Sequence, residues 1–182
     1  MIRWLSSSAL LLCLVALWPG VTRAHAAPGA NCGPDQATAV QNALAKYPSD
    51  PATGWKWSNA PQASNYDPCA DLSTVLVSVD GATGSSPEQA LMFHRGNYVG
   101  TGTPKAYPFT SLVARASTHD TVVLSYGSGQ TCTTCDDGKV TTVRYRWDGS
   151  GVQMLDPAPP APPAPPSPPP SPQQPPPPPP SP

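Results

Sequence analysis

The stretch DLSTVLVSVDGATGSSP, Asp71 to Pro87, decides the fold. Val75, Val77 and Val79 recur at every second residue, which places them on one face of an extended strand. The block Gly81 to Pro87 is built of glycine, serine, threonine and proline, residues that end a strand and turn the chain. Period two persists downstream. Leu91 and Phe93 alternate before Gly96-Asn97, a tight-turn pair, and Tyr98-Val99 begins the return strand. Val122, Leu124 and Tyr126 define another inward face. Thr141, Val143, Tyr145 and Trp147 define the next, with Arg144 and Arg146 opposite. Asp148-Gly149 turns the chain into a short last strand, Val152 to Leu155, and a weaker strand is expected at Ser111 to Ala116.

Upstream of Asp71 the period is different. Gly33-Pro34-Asp35 reads as a helix start, with proline in the first turn and an acid near the positive end of the dipole. Val40, Ala43, Leu44 and Tyr47 then form one apolar helical face, and Pro48 and Pro51 stop it. Trp55 and Trp57 in GWKWS alternate, which puts both indoles on one side as a lid on the sheet or, as the alternative, a stacking platform. The expectation is an α+β domain over residues 27–156: one N-terminal helix packed on an antiparallel meander sheet of five or six strands, stabilised by disulfides. No internal repeat is visible.

The ends are different materials. Residues 1–26 combine Arg3 with the apolar run ALLLCLVALW, Ala9 to Trp18, the pattern of an export signal and too short to span a bilayer. Ala24-His25-Ala26 supplies the small residues for a cut between Ala26 and Ala27, and an uncleaved anchor is the alternative. Cys13 follows Leu12 and Cys32 follows Asn31, so neither has the small preceding residue that lipid attachment requires. The processed chain is expected to be exported, lipid-free and without an integral membrane span. Its eight basic and eleven acidic side chains leave a net charge of −3. That balance provides no basic footprint for nucleic acid or an anionic membrane. Residues 157–182 contain eighteen prolines among Ala, Ser and Gln. Such a chain forms neither helix nor sheet, and is expected to be a disordered, extended polyproline II tail reaching about 80 Å. A spacer role is preferred over a ligand for a proline-binding groove.

Four cysteines remain after processing: Cys32, Cys69, Cys132 and Cys135. In an exported domain they read as two disulfides with three possible connectivities. The close spacing of Cys132 and Cys135 suggests local closure, leaving Cys32 to bond Cys69 across a loop of about 38 residues, for a stabilisation on the order of 3–4 kcal/mol. A zinc site from the four sulfurs is the competing reading, with spacing that matches paired knuckles poorly.

Taken together, NCGP (Asn31 to Pro34), YDPCADLSTVLVSVDGATGSSP (Tyr66 to Pro87), FHRGNYVGTGTP (Phe93 to Pro104) and VRYRWDGSGVQMLDP (Val143 to Pro157) resemble the LppP/LprE family, small envelope lipoproteins of actinobacteria. The resemblance implies an exported envelope protein of mycobacterial type, and the family's paired cysteines map onto Cys32 and Cys69. It implies no reaction, substrate or cofactor. The chain departs from the family in lacking a lipobox, in adding Cys132 and Cys135, and in carrying the proline segment.

Candidate chemistry is sparse. TCTTC could be a redox pair, but no helix follows it, and Asp136 and Asp137 oppose thiolate formation. DGATGSSP lacks the lysine of a phosphate loop. His94 reads as a structural histidine pointing away from the main core, and His119 as a turn residue. Ser85, His94 and Asp80 make a triad only on paper. No catalytic residue, metal ligand or cofactor is therefore assigned. The expectation is a non-enzymatic binding or structural module of the cell wall or envelope space, with an unknown envelope protein, glycan or lipid as partner. The alternative is a carrier of small hydrophobic, lipid-like ligands lined by Trp55, Trp57, Phe93 and Tyr98. A hydrolase or thiol oxidoreductase ranks third.

Overall fold

In the computed structural model, which describes residues 32–160, the strand marked by the alternating valines is buried along its whole length. The leader, its cut at Ala26 and Ala27, and residues 161–182 of the proline segment lie outside the described residues. The chain runs α1 (Gln36–Lys46), β1 (Trp57–Ser64), β2 (Ser73–Val79), β3 (Glu88–His94), β4 (Asn97–Thr101), β5 (Thr110–Leu112), a 3-10 turn (Ala114–Ala116), β6 (Thr121–Ser128), β7 (Lys139–Trp147) and β8 (Val152–Met154).

The class is α+β, as expected, but the single sheet of five or six strands is corrected. Among the described residues there are two four-stranded antiparallel sheets, β1-β2-β3-β4 and β5-β6-β7-β8, each a sequential meander. The first sheet is the middle of three layers. Its one face, Val75, Val77, Val79, Leu91 and Phe93, packs with Ala39, Val40 and Ala43 of α1. Its other face, Leu76, Ala90 and Met92, packs with Val122, Leu124, Tyr126, Val143 and Tyr145 of the second sheet. Period two identifies which side chains share a face, but it does not say which sheet a strand joins or whether the reverse face is covered. The polar residues of β2 and β3 are reconciled with this burial by backbone acceptors. The Thr74 hydroxyl donates to Leu91 O (2.9 Å), that of Ser78 to Pro87 O (3.0 Å), and the Gln89 amide to Thr103 O (3.1 Å).

Strand β1 escaped the sequence reading. Its Pro61 and polar residues do not look like a strand, and it occupies the sheet edge with register shifts on both sides of Pro61, where proline is tolerated. The β3–β4 turn is displaced by one residue from Gly96-Asn97. Arg95 (φ 46°) and Gly96 (φ 76°) are the two left-handed central residues, as a two-residue hairpin requires.

Helix α1 starts where Asp35 accepts the Thr38 N–H (3.0 Å) and hydroxyl (2.9 Å), with Pro34 just ahead of this cap rather than inside the first turn. It ends at Tyr47, whose N–H reaches Ala43 O (3.0 Å), and Pro48 follows. The chain passes from the first sheet to the second through Gly102. A Cβ there would lie 2.9 Å from Met92 Cε, the movable end of that side chain, and 3.3 Å from Ala90 Cβ, so the crossing is closely packed. Past it, Glu88 and Tyr107 exchange backbone hydrogen bonds, and the Glu88 carboxylate accepts Thr110 N–H (2.8 Å). Partial burial pushes the Glu88 carboxyl above its usual range.

Candidate functional site

Segments distant in sequence meet at one pole of the sandwich. Cys32 and Cys69 lie at disulfide distance there, tying the approach to α1 to the loop before β2. Gly33 packs directly on the Arg95-Gly96 turn. A Cβ on Gly33 would stand 3.1 Å from Arg95 O, and one on Gly96 would stand 3.0 Å from Pro34 Cδ. The Tyr66 hydroxyl donates to Pro34 O (2.7 Å) and closes the same junction.

Asp71 organises the polar side of this pole. Its Oδ1 accepts from Arg95 Nε (3.2 Å) and a terminal Arg95 nitrogen (3.1 Å), and its Oδ2 lies 3.8 Å from His119 Nδ1. The Arg95 and His119 side chains are 64% and 61% exposed, so these pairs are worth at most about 1 kcal/mol each. His94 Nδ1 lies 2.7 Å from the Asp71 carbonyl oxygen. A carbonyl can only accept, so Nδ1 donates in this contact. The His94 ring stacks on Trp147 of β7 at 4.0 Å between centroids and 13° between planes. His94 thus points away from the helix side, as expected, but meets the second sheet rather than solvent. Beside it, Arg146 donates to Asp120 (2.7 Å), and the hydroxyls of Thr118 and Thr121, with Arg146, hold the Asp120 carboxyl below its ordinary range.

The His94 ring is held on one side by the Asp71 carbonyl and on its face by Trp147. Among the described residues, His94 has no hydrogen bond to a serine, threonine or cysteine. Ser85 and Asp80 lie in the β2–β3 connection, separated from His94 by the whole of β3, about 20 Å of strand. No cluster of three His, Cys, Asp or Glu suited to a metal occurs among the described residues.

The four candidate lining residues do not enclose a space. Trp57 and Phe93 are buried in the core between α1 and the first sheet, Trp57 stacked on Tyr47 and Phe93 edge-on to Tyr66 and Tyr98. Trp55 does not join them. It is 55% exposed, so the expected shared side of the two indoles is corrected. The reason is a sharp turn: Asp50 accepts the Thr53 N–H and hydroxyl, and Gly54 adopts φ 76°, so Trp55 precedes the strand instead of continuing it. Tyr98 alone borders a cleft, of about 350 Å³, against Ala39, Asn42 and Lys46 of α1.

Cys132 and Cys135 lie at disulfide distance in the β6–β7 loop, where Asp137 accepts the Thr131 N–H (3.1 Å) and hydroxyl (2.7 Å). Beside this loop is a cleft of about 410 Å³ lined by Tyr107, Phe109, Gly127, Cys132, Thr133 and Pro160, mainly apolar. Sequence reasoning assigned no role to Tyr107 or Phe109. Their signal was the aromatic pair in YPF, Tyr107 to Phe109, which lies in a segment without strand periodicity. No helix among the described residues is long and apolar enough to cross a membrane.

The sequence profile of the LppP/LprE lipoprotein family matches residues 64–150. Proteins named lipoprotein LprE in Mycobacterium tuberculosis and Mycobacterium bovis are 34% identical over 116 residues, 64% of this chain and 54% of theirs. The Mycobacterium leprae protein of that name is 32% identical over 137 residues, 71% of this chain and 65% of its own. The chain thus spans about half the length of the tuberculosis and bovis relatives. No solved structure matches it.

Proposed function

We propose, starting from a chain related to the LppP/LprE lipoproteins through residues 64–150, that this protein is an exported envelope module that binds rather than catalyses, and that the Cys32–Cys69 pole is its docking surface. One observation carries the reading: segments separated by more than a hundred residues in sequence converge there into a rigid face whose outermost groups, Arg95, Asp71 and His119, are polar and accessible. A disulfide, a glycine-on-glycine contact and a stacked His94–Trp147 pair hold that face still. Such preorganisation lowers the ordering cost of association. The carrier alternative is less favoured, because Trp57 and Phe93 fill the core and Trp55 stands in solvent. The partner class is an envelope protein, glycan or lipid. The segment 1–26 would direct export.

Site-specific photocrosslinkers placed at Arg95, at His119 and, as a control, at exposed Trp55 test this in the native envelope. Discrete adducts from the first two positions and none from Trp55 are expected. Equal labelling from all three positions, or none from the pole, would overturn the docking surface. Release of a stoichiometric lipid from the purified protein would favour the carrier.

A further inference from the structure

We infer that the cleft beside Tyr107 and Phe109 is a polyproline-binding groove whose occupant is the chain's own segment APPAPPSPPPSP, residues 161–172. This is a site distinct from the docking pole and does not depend on it. The first observation is where the described chain leads. Leu155 N–H donates to Arg144 O (2.8 Å), and Asp156 accepts from the Arg144 backbone N–H (2.8 Å) and guanidinium (2.9 Å at both nitrogens). The next residues are thereby aimed along the second sheet. Pro159 is buried, its carbonyl accepting the Tyr107 hydroxyl (3.3 Å), and Pro160 forms part of the cleft wall. The described chain therefore ends at the groove wall.

The chemistry of the groove suits a proline-rich strand. A polyproline II strand has no N–H at proline, turns its carbonyls outward as bare acceptors, and presents flat ring faces. Its receptors answer with aromatic walls and hydroxyl or amide donors. The groove supplies Tyr107, Pro108 and Phe109 as ring surfaces, with the Gln130 amide at its rim. The Tyr107–Pro159 hydrogen bond is already one such donor–carbonyl contact. The walls are built to hold shape. Tyr107 packs edge-on against Tyr126 at 5.3 Å, Cys132 is tied to Cys135, and Phe109 is kept in the left-handed region (φ 56°) with its carbonyl accepting Gly127 N–H (3.0 Å). A non-glycine residue in that region is strained and persists where its surroundings impose it.

Connection favours the chain's own segment over any other occupant. The segment is covalently attached at the groove, which gives it a high effective concentration against any free competitor.

Amide spectra of the full chain with both disulfides intact test this against a variant carrying Pro162→Ser, Pro163→Ser, Pro165→Ser, Pro166→Ser, Pro168→Ser, Pro169→Ser and Pro170→Ser. Shifts are expected at Gly127, Ser128, Gly129, Gln130 and Thr133, with the Cys32–Cys69 pole unmoved. A synthetic peptide of residues 161–172 added to the serine variant should restore the shifts. Adding Gln130→Met to that variant, which keeps the length of the side chain and removes the rim amide donor, should weaken the peptide at least threefold. Superimposable domain spectra, or peptide affinity indifferent to Gln130→Met, would overturn the groove. Shifts that vary with protein concentration, accompanied by a dimer in sedimentation, would assign the occupant to a second copy and overturn the intramolecular reading.

Discussion

Leu76→Ala tests the three-layer arrangement directly. Leu76 is 1% exposed on the face of β2 that meets the second sheet, among Ala90, Met92, Val122, Leu124 and Val143. The substitution removes three carbons, about 2.4 kcal/mol of transfer free energy at ~0.8 kcal/mol each. Its neighbours come from two hydrogen-bonded sheets that cannot easily close on the void, and the residual cavity raises the loss to about 3–4 kcal/mol. In a single sheet with only the helix covering it, Leu76 would face solvent and the same change would cost within about 0.5 kcal/mol. Urea unfolding followed by tryptophan fluorescence, with disulfides oxidised, measures the difference. Val77→Ala on the helix-facing side, expected to cost about 2 kcal/mol, is the internal control. A Leu76→Ala loss below about 1 kcal/mol, with Val77→Ala behaving as stated, would refute the covered second face.

The two bridges should differ in weight. Their separations of 37 and 3 residues predict losses of about 4 kcal/mol for Cys32→Ser/Cys69→Ser and about 2 kcal/mol for Cys132→Ser/Cys135→Ser, and the reverse order in chemical denaturation would contradict the chain-entropy account. Gly102→Ala brings a Cβ to 2.9 Å from Met92 Cε and 3.3 Å from Ala90 Cβ and should lower stability by about 1 kcal/mol; an unchanged unfolding midpoint would show that the Met92 side chain swings aside without cost. Asp156 is held near about 2 by hydrogen bonds from the Arg144 side chain and backbone, and Asp148 near about 2 by the N–H groups of Ser150 and Gly151. Folded values below the ordinary 3.8 mean that both contribute stability above that value and lose it as pH falls towards 2. Asp156→Asn should therefore flatten part of the acid-side decline in thermal midpoint, and an unaltered slope would sink that assignment. Glu88, raised by burial, has the opposite sign: its contribution is largest at low pH and falls as pH rises through its folded value. Glu88→Gln should remove that component while still accepting Thr110 N–H, which a pH titration of unfolding free energy would detect.

Much of the architecture was legible because it is written in side-chain period. The helix face Val40, Ala43, Leu44, Tyr47 and the alternation of β2, β3, β6 and β7 follow from local geometry alone. Asp148-Gly149 and the Gly81–Pro87 block marked real chain reversals, as backbone permissiveness demands. What was not legible has a common cause. Strand β1 is polar and interrupted by Pro61, and is a strand only because the edge of β2 offers it hydrogen-bond partners. Trp55 and Trp57 share a local pattern, yet the turn at Asp50 to Gly54 separates one into solvent and the other into the core. The candidate pole was split among NCGP, DPCADL and HRGN, none of which carries chemistry by itself.

The sequence by itself determined the α+β class, the helical and strand faces and the pool of four cysteines, because periodicity and composition act within a few residues of the chain. Only the tertiary structure decided that the meander breaks at Gly102 into two sheets, and that DLSTVLVSVDG is a middle layer covered on both sides. It also decided that Asp71, His94, Arg95, His119 and Trp147 stand together. The physical reason is that layer assignment and polar clustering depend on contacts between residues far apart in the chain. Those contacts are set by what each buried face finds to cover it, and no local pattern encodes that.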